Sequence, residues 1–272
     1  MRGGTSRHGK VSSAPSAEGH EVSAWATFAP STTVVTARVG VSFISVEQAR
    51  RNLELEIPDG QTLERTSKLT REKWTNKLDR LRIEGASEQN LTVAYTGFAH
   101  TLVYPYEVSE KTESGWKYYS GYLDRVVDGI SYSGYSIWDT FRAATAWQLF
   151  VAVERVPDMI TSMLQDYVQG GWLPMWKNIV ETNIMVGTHS DSIIAQAMSA
   201  GIKGFDYDLA WEAVKKNAFT PPDRDTELTF FDREEHTPQE ARAGLTEYMA
   251  IGYVAEDLHA ESGSRTLDYA CE

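Results

Sequence analysis

The chain has 272 residues, of which 42% are hydrophobic and 24% charged, the balance of an ordinary globular fold with one large domain or two smaller ones. No run of about 18 apolar residues occurs, which excludes a membrane-spanning helix. The net charge of −12 argues against a nucleic-acid partner, and the single cysteine, Cys271, excludes an internal disulfide framework or thiolate metal site.

The first thirty residues are polar, rich in Ser and Gly, and lack an apolar core of signal-peptide length. They are expected to be disordered. "STTVVTARVGVSFIS" (31–45) is β-branched and partly alternating, which predicts one or two strands. Beyond Pro58 the period changes. Leu63, Leu69, Trp74, Leu78 and Leu81 fall mostly at helical spacing across 62–81. Asn90-Leu91-Thr92 is a glycosylation pattern and a weak hint of secretion. Further helices are predicted over 88–103, 136–150, 155–168, 188–201, 207–218, 238–250 and 261–272. Asp206 and Thr237-Pro238 mark two of their starts. Residues 106–134 read as a long loop or hairpin with Gly and Ser between aromatics, and 219–236 as a long non-helical insert. The strands at one end are too few to close a sheet by themselves.

The common catalytic templates are missing: there is no Gly-rich phosphate loop, no H-E-x-x-H and no G-x-S-x-G. "PPDRDTEL" alternates acids but lacks the Gly and distal Glu of a calcium loop, so it reads as a solvated acidic loop. Three stretches remain. "GYSIWDTFRAATAW" places Trp138, Asp139 and Arg142 at the start of a helix. There Asp139 either complements the helix dipole, pairs with Arg142, or faces a ligand. "QGGWLPMWKN" carries Trp172 and Trp176 on a turn. "NIVETNIMVGTHSD" sets Glu181 among Ile179, Val180, Ile184, Met185 and Val186, which is costly for a carboxylate unless something compensates it. Aromatics belong to a core by default, but flat rings beside carboxylates also suit a sugar. A Glu kept protonated by apolar surroundings suits a general acid.

Together "SIWDTFR", "GGWLPMWKNIVETNIMVGTHSD" and "AGIKGFD" resemble glycoside hydrolase family 92, the exo-acting, calcium-dependent α-mannosidases. "ARVGVSFISVEQARRNLELEIP", "YTGFAHTLVYP", "VERVPDMITSMLQDYVQGG" and "EYMAIGYVAEDLHAESGSRTLDYA" extend the resemblance in family order from about residue 37. Residues 1–30 match nothing in it.

The resemblance implies a mainly α fold: about the first half of an (α/α)6 toroid preceded by a remnant of an N-terminal β-sandwich. Its expected parts are a non-homologous tail (1–30), the sandwich end (31–57), a helical linker (58–86) and the toroid half (87–272). It implies hydrolysis with inversion, releasing terminal mannose, α-1,2-linked, from mannans or N-glycans. Glu181 matches the family's general acid. Trp138, Asp139 and Arg142 match the sugar-pocket signature, with Trp172, Trp176 and His189 as further substrate-binding residues. The general base lies in a Gly-Asn-Asp-Asp type motif that these residues lack, and calcium is expected on ligands outside them. The chain alone is therefore expected to be inactive, and a non-catalytic carbohydrate-binding remnant is the alternative. Secretion follows by resemblance. A different helical toroid, such as a glucoamylase-like glycosidase or an isoprenoid-type cyclase, is disfavoured by the length of the second motif.

Overall fold

The computed structural model describes residues 2–182, 184–227, 242–257, 259 and 261–271. The chain divides into two compact units, Met1–Val39 and Gly40–Glu272.

The first unit corrects the expectation of disorder. Three strands, β1 (Arg2–Arg7), β2 (Lys10–Ser12) and β3 (Val22–Thr27), form an antiparallel sheet ordered β2-β1-β3. The β1–β2 hairpin closes through His8 and Gly9, both at positive φ, with Arg7 opposite Lys10. That is the conformation a two-residue hairpin loop selects. Most of this sheet's side chains are exposed. The strands expected over 31–45 do not form: residues 32–42 carry no regular structure. Val39 and Val41 are 78% and 76% exposed. A β-branched run makes a strand only where a neighbour completes its ladder.

In the second unit, α1 (Val46–Glu56) occupies sequence expected at the end of a sandwich. The Ser45 hydroxyl accepts the Gln48 N–H and starts it, and Ala, Gln, Arg, Leu and Glu favour the helical state. Helices α2 (Leu63–Leu78) and α3 (Glu88–His100) open on the same device, with Thr62 and Ser87 as caps. The aromatic stretch that follows is more ordered than a loop. It forms β4 (Tyr106–Glu107), β5 (Glu110–Thr112), β6 (Gly115–Ser120), β7 (Arg125–Asp128) and β8 (Tyr132–Ser133). β5-β6-β7 is an antiparallel meander, and β4 pairs with β8.

The single helix predicted over 136–150 is two, α4 (Ile137–Thr140) and α5 (Ala144–Val151), because Ala143 leaves the helical region at φ −143°. α6 (Val156–Gly170) ends on left-handed Gly171. A small hairpin follows, β9 (Lys177–Asn178) and β10 (Val180–Glu181). α7 (Ser190–Ser199) and α8 (Tyr207–Phe219) come next. The Asp206 carboxylate caps α8, accepting the Asp208 and Leu209 N–H groups at 3.0 Å each. α9 (Leu245–Ile251) and α10 (Ser262–Cys271) close the described chain. The Thr237-Pro238 start lies outside the described residues.

The main core gathers where α6, α7 and α8 pack pairwise. Ile160, Met163, Leu164, Ile193, Ile194, Ala197, Ala210 and Ala213 are buried there with Tyr132, Tyr135, Ile137 and Leu173. The alanines let the helices approach closely. β8, α4 and the turn after α6 sit on this core, so the residues named for chemistry ride on its most rigid part.

Candidate active site

Glu181 lies on β10, opposite Lys177 of β9. Its neighbours in sequence are apolar, but its neighbours in space are amides. The carboxylate accepts the Met175 N–H at 2.7 Å, the Trp176 N–H at 3.1 Å to each oxygen, and the Thr182 N–H at 3.0 Å. The Glu181 N–H donates to the Tyr122 hydroxyl at 3.0 Å. These bonds supply the compensation that a half-buried carboxylate requires. The expected apolar wall is thus corrected to a cradle of backbone donors.

The hairpin turns on one residue, Ile179, at φ 68°. A β-branched residue in the left-handed region is strained. Two contacts enforce it. The Ile179 N–H donates to the Ser133 hydroxyl at 2.8 Å. Gly121 also leaves room for the turn: a Cβ there would stand 2.5 Å from Val180 Cγ1 and 3.2 Å from Ile179 Cγ2.

Beneath the hairpin lies an ion pair absent from the sequence reading. The Lys177 ammonium meets the Asp166 carboxylate of α6 at 2.7 Å, with both side chains almost wholly buried. Lys177 also donates to the Ser131 hydroxyl at 3.3 Å. Burial pushes the Asp166 carboxyl up to about 7; Lys177 opposes that shift and the charge of Glu181 adds to it.

Trp176 links the acid to a cavity. Its N–H holds Glu181, and the residue lines a space of about 400 Å³ shared with Asp139, Ser136, Thr140, His100 and Tyr104. That volume accepts a pyranose ring. The Asp139 carboxylate accepts a hydrogen bond from the Ser136 hydroxyl. Its ion pair with Arg142, one of the options left open by the spacing, does not form. The guanidinium instead sits 4.9 Å from the ring centres of both Trp138 and Phe141.

Two predicted residues are placed elsewhere. His189 is 2% exposed and its ring stacks on that of Phe141 at 3.7 Å, the same Phe141 ring that Arg142 approaches. Trp172 has its ring covered by Lys216 of α8, whose ammonium lies 4.4 Å from the ring centre and donates to the Gly171 carbonyl. The acidic insert is also corrected. Asp225 is buried and accepts the Gly244 and Thr246 N–H groups at 2.6 and 2.8 Å, capping α9.

Sequence reading missed Lys177, Asp166, Tyr122, His100 and Tyr104. Only Lys177 carried a local signal, as a cation bordering the apolar run. A second cavity, of about 350 Å³, opens beside Trp74, Tyr106 and Arg155. Two of its three cations are already engaged, Lys77 with Glu154 and Arg155 with Glu107, and none of the site residues expected from the sequence lines it, so it is a poorer candidate. Among the described residues no three His, Cys, Asp or Glu side chains converge as metal ligands. They do not fit the calcium ion that the resemblance implies.

The family model described as the glycosyl hydrolase family 92 catalytic domain matches residues 48–272. A solved inverting mannosidase of that family from Bacteroides thetaiotaomicron superposes with a TM-score of 0.75 and 30% identity, over 84% of this chain and 29% of that one. A second α-mannosidase of the family from the same bacterium gives 0.70 and 28%, over 84% and 28% of the two chains. An uncharacterized secreted glycosidase of Arthroderma benhamiae is 26% identical over 251 residues, 88% of this chain and 26% of that protein. The chain belongs to glycosyl hydrolase family 92, and it spans between a quarter and a third of the length of these relatives. The structure is mainly helical with few strands, as expected, and no described helix is long and apolar enough to cross a membrane.

Proposed function

We propose that these residues carry the general-acid half of an inverting α-mannosidase site, with Glu181 as the acid and the Asp139–Trp176 cavity as the place of the sugar ring. The observation that carries this reading is Trp176, which holds the Glu181 carboxylate by its N–H and is itself one of the residues lining the cavity. In the proposed reaction the Glu181 O–H breaks, its proton goes to the glycosidic oxygen, and the carboxylate left behind is the form that the Met175, Trp176 and Thr182 N–H groups hold. The C1–O bond cleaves toward that oxygen. A water attacks C1 from the opposite face and gives its proton to a second carboxylate. The Asp139 carboxylate suits a sugar hydroxyl, and the indole suits an apolar ring face.

The remaining expectations join the proposal. Helices α3 to α10 form part of an (α/α)6 toroid. The base, and the calcium ligands, come from other parts of the whole protein. The substrate is an α-1,2-linked terminal mannose of a mannan or N-glycan, and the protein is exported. These residues alone bind the sugar without turning it over, and in that state they are a carbohydrate-binding module.

The test is α-1,2-mannobiose followed by proton NMR, with the whole protein and with this chain alone. The whole protein should release β-mannose first, and Glu181→Gln should lower that rate by about 10²-fold or more. Release of α-mannose as the first product would overturn inversion. Turnover by the chain alone would overturn its inactivity.

A further inference from the structure

Resting on that reading of Glu181, we infer that Lys177 and Asp166 are positioning residues for the acid. The ammonium is fixed on the acid's side of its hairpin, and Asp166 anchors it to α6. Residues opposite each other in an antiparallel pair project to the same face, and Lys177 is the register partner of Glu181. The hairpin is too short to hold itself. Two residues pair on each side, and the turn between them is strained. It is held from outside. The Lys177 carbonyl accepts the Gly134 and Tyr135 N–H groups at 3.0 and 3.1 Å. The Lys177 ammonium reaches Asp166 at 2.7 Å and Ser131 at 3.3 Å. One residue thus ties the acid's hairpin to the segment just after β8 by its backbone and to α6 by its side chain.

Stability alone is a weak reason for this pair. A buried ion pair loses most of its attraction to desolvation, and apolar side chains of equal volume hold a core as well. The second oxygen of Asp166 is buried with no hydrogen-bond partner among the described residues, so the pair is not optimised for satisfaction either. Position and charge are what an apolar pair would not reproduce. When Glu181 gives its proton to the leaving oxygen, it is left as a carboxylate. An ammonium on the same face, paired with Asp166 and not with Glu181, offsets the repulsion between the two carboxylates and so favours that product of the step. Asp166 keeps the ammonium in place. The groups that feel Asp166 are Lys177 and Glu181 on the hairpin, Tyr118 on β6 and Tyr135 before α4.

The experiment exploits the leaving group, because only a poor one needs a proton. In the whole protein, Asp166→Asn and the combined Asp166→Asn/Lys177→Met variant are assayed on α-1,2-mannobiose and on 2,4-dinitrophenyl α-mannoside, beside Glu181→Gln. The expected result is a fall in kcat on mannobiose of about tenfold or more with KM unchanged, and about twofold or less on the dinitrophenyl substrate. Equal losses on both substrates would make the pair merely structural and overturn the inference, as would no loss on either. Should Glu181→Gln itself fail to separate the two substrates, the reading of Glu181 as acid falls and the inference falls with it. The combined variant removes both charges, so no lone buried charge is left to unfold it. Where a preparation shows no turnover, amide exchange at Met175, Trp176 and Thr182 decides. Exchange faster by about tenfold at unchanged global stability is expected, and unchanged exchange overturns the inference.

Discussion

Replacing Glu181 by Gln should destabilise the protein, not only slow it. Catalytic carboxylates are often strained, and their removal then raises stability. Here the geometry argues for the opposite sign. Three backbone N–H groups converge on the two carboxylate oxygens. A Gln amide keeps one oxygen. With that oxygen at the Oε2 position, the Met175 and Trp176 donors are retained and the Thr182 N–H faces an NH2 group; the other orientation abandons Met175 instead. One charge-assisted bond is lost in either case, about 1.5–3 kcal/mol, and the two that survive become neutral bonds, each weaker by about 1 kcal/mol. Glu181 is half-buried, so water recovers part of this, and the net loss should be about 2 kcal/mol. Urea unfolding followed by fluorescence gives the difference from the shift in midpoint at constant slope. A variant as stable as the parent, or more stable, would refute the cradle of amides and restore the apolar wall inferred from sequence.

Two further outcomes follow from buried carboxylates. The ion pair of Asp166 with Lys177 is whole only above about pH 7: burial raises the Asp166 carboxyl to that value, whereas an unfolded Asp titrates near pH 4, so between those values the folded state binds an extra proton. That proton's contribution to stability is full below about pH 4 and is lost as the pH rises through about 7. The unfolding free energy of the parent relative to Asp166→Asn should fall as the pH rises through that window, and a flat difference would contradict the burial of Asp166. Asp225→Ala should leave the Gly244 and Thr246 N–H groups without their acceptor at the start of α9, costing about 2–4 kcal/mol and lowering Tm by several degrees; a change under about one degree by differential scanning calorimetry would show the cap to be dispensable.

Local chemistry made the helices legible. Ser87 and Asp206 cap α3 and α8 where the sequence places a helix start, and the 3.6-residue period carries α2, α3, α6, α7 and α8 to within a few residues of their ends, whereas α1 lies in sequence expected of a sandwich and α4 and α5 in sequence expected as one helix. Glu181 was legible for the same reason: a carboxylate inside an apolar run is a local anomaly. What escaped depends on partners distant in sequence. Lys177 and Asp166 meet only because the turn after α6 folds back on the helix. Asp225 looked solvated until α9 brought its N–H groups to it from residues 244 and 246. Trp172 looked available because nothing near it announces Lys216 on α8. The strands misread at 31–45 show the converse: alternation predicts a strand's faces but not the presence of the strand that must lie beside it. The N-terminal sheet was missed because β1 is made of Arg, Gly, Thr and Ser and most of the sheet's side chains are exposed, so no apolar alternation marks it; the His8-Gly9 turn is the local signal.

The left-handed turn at Ile179 has a consequence for the order in which the protein takes shape. A backbone conformation that the free chain disfavours by about 1–3 kcal/mol does not nucleate. It waits until Ser133 and Gly121 stand ready to receive it. Strand β8 and the turn between β6 and β7 must therefore be in place before the hairpin can close, and the acid is among the last groups to acquire its final address. A chain that stalls late in folding would already hold its helices and its core, yet would lack the one feature that gives Glu181 a defined direction.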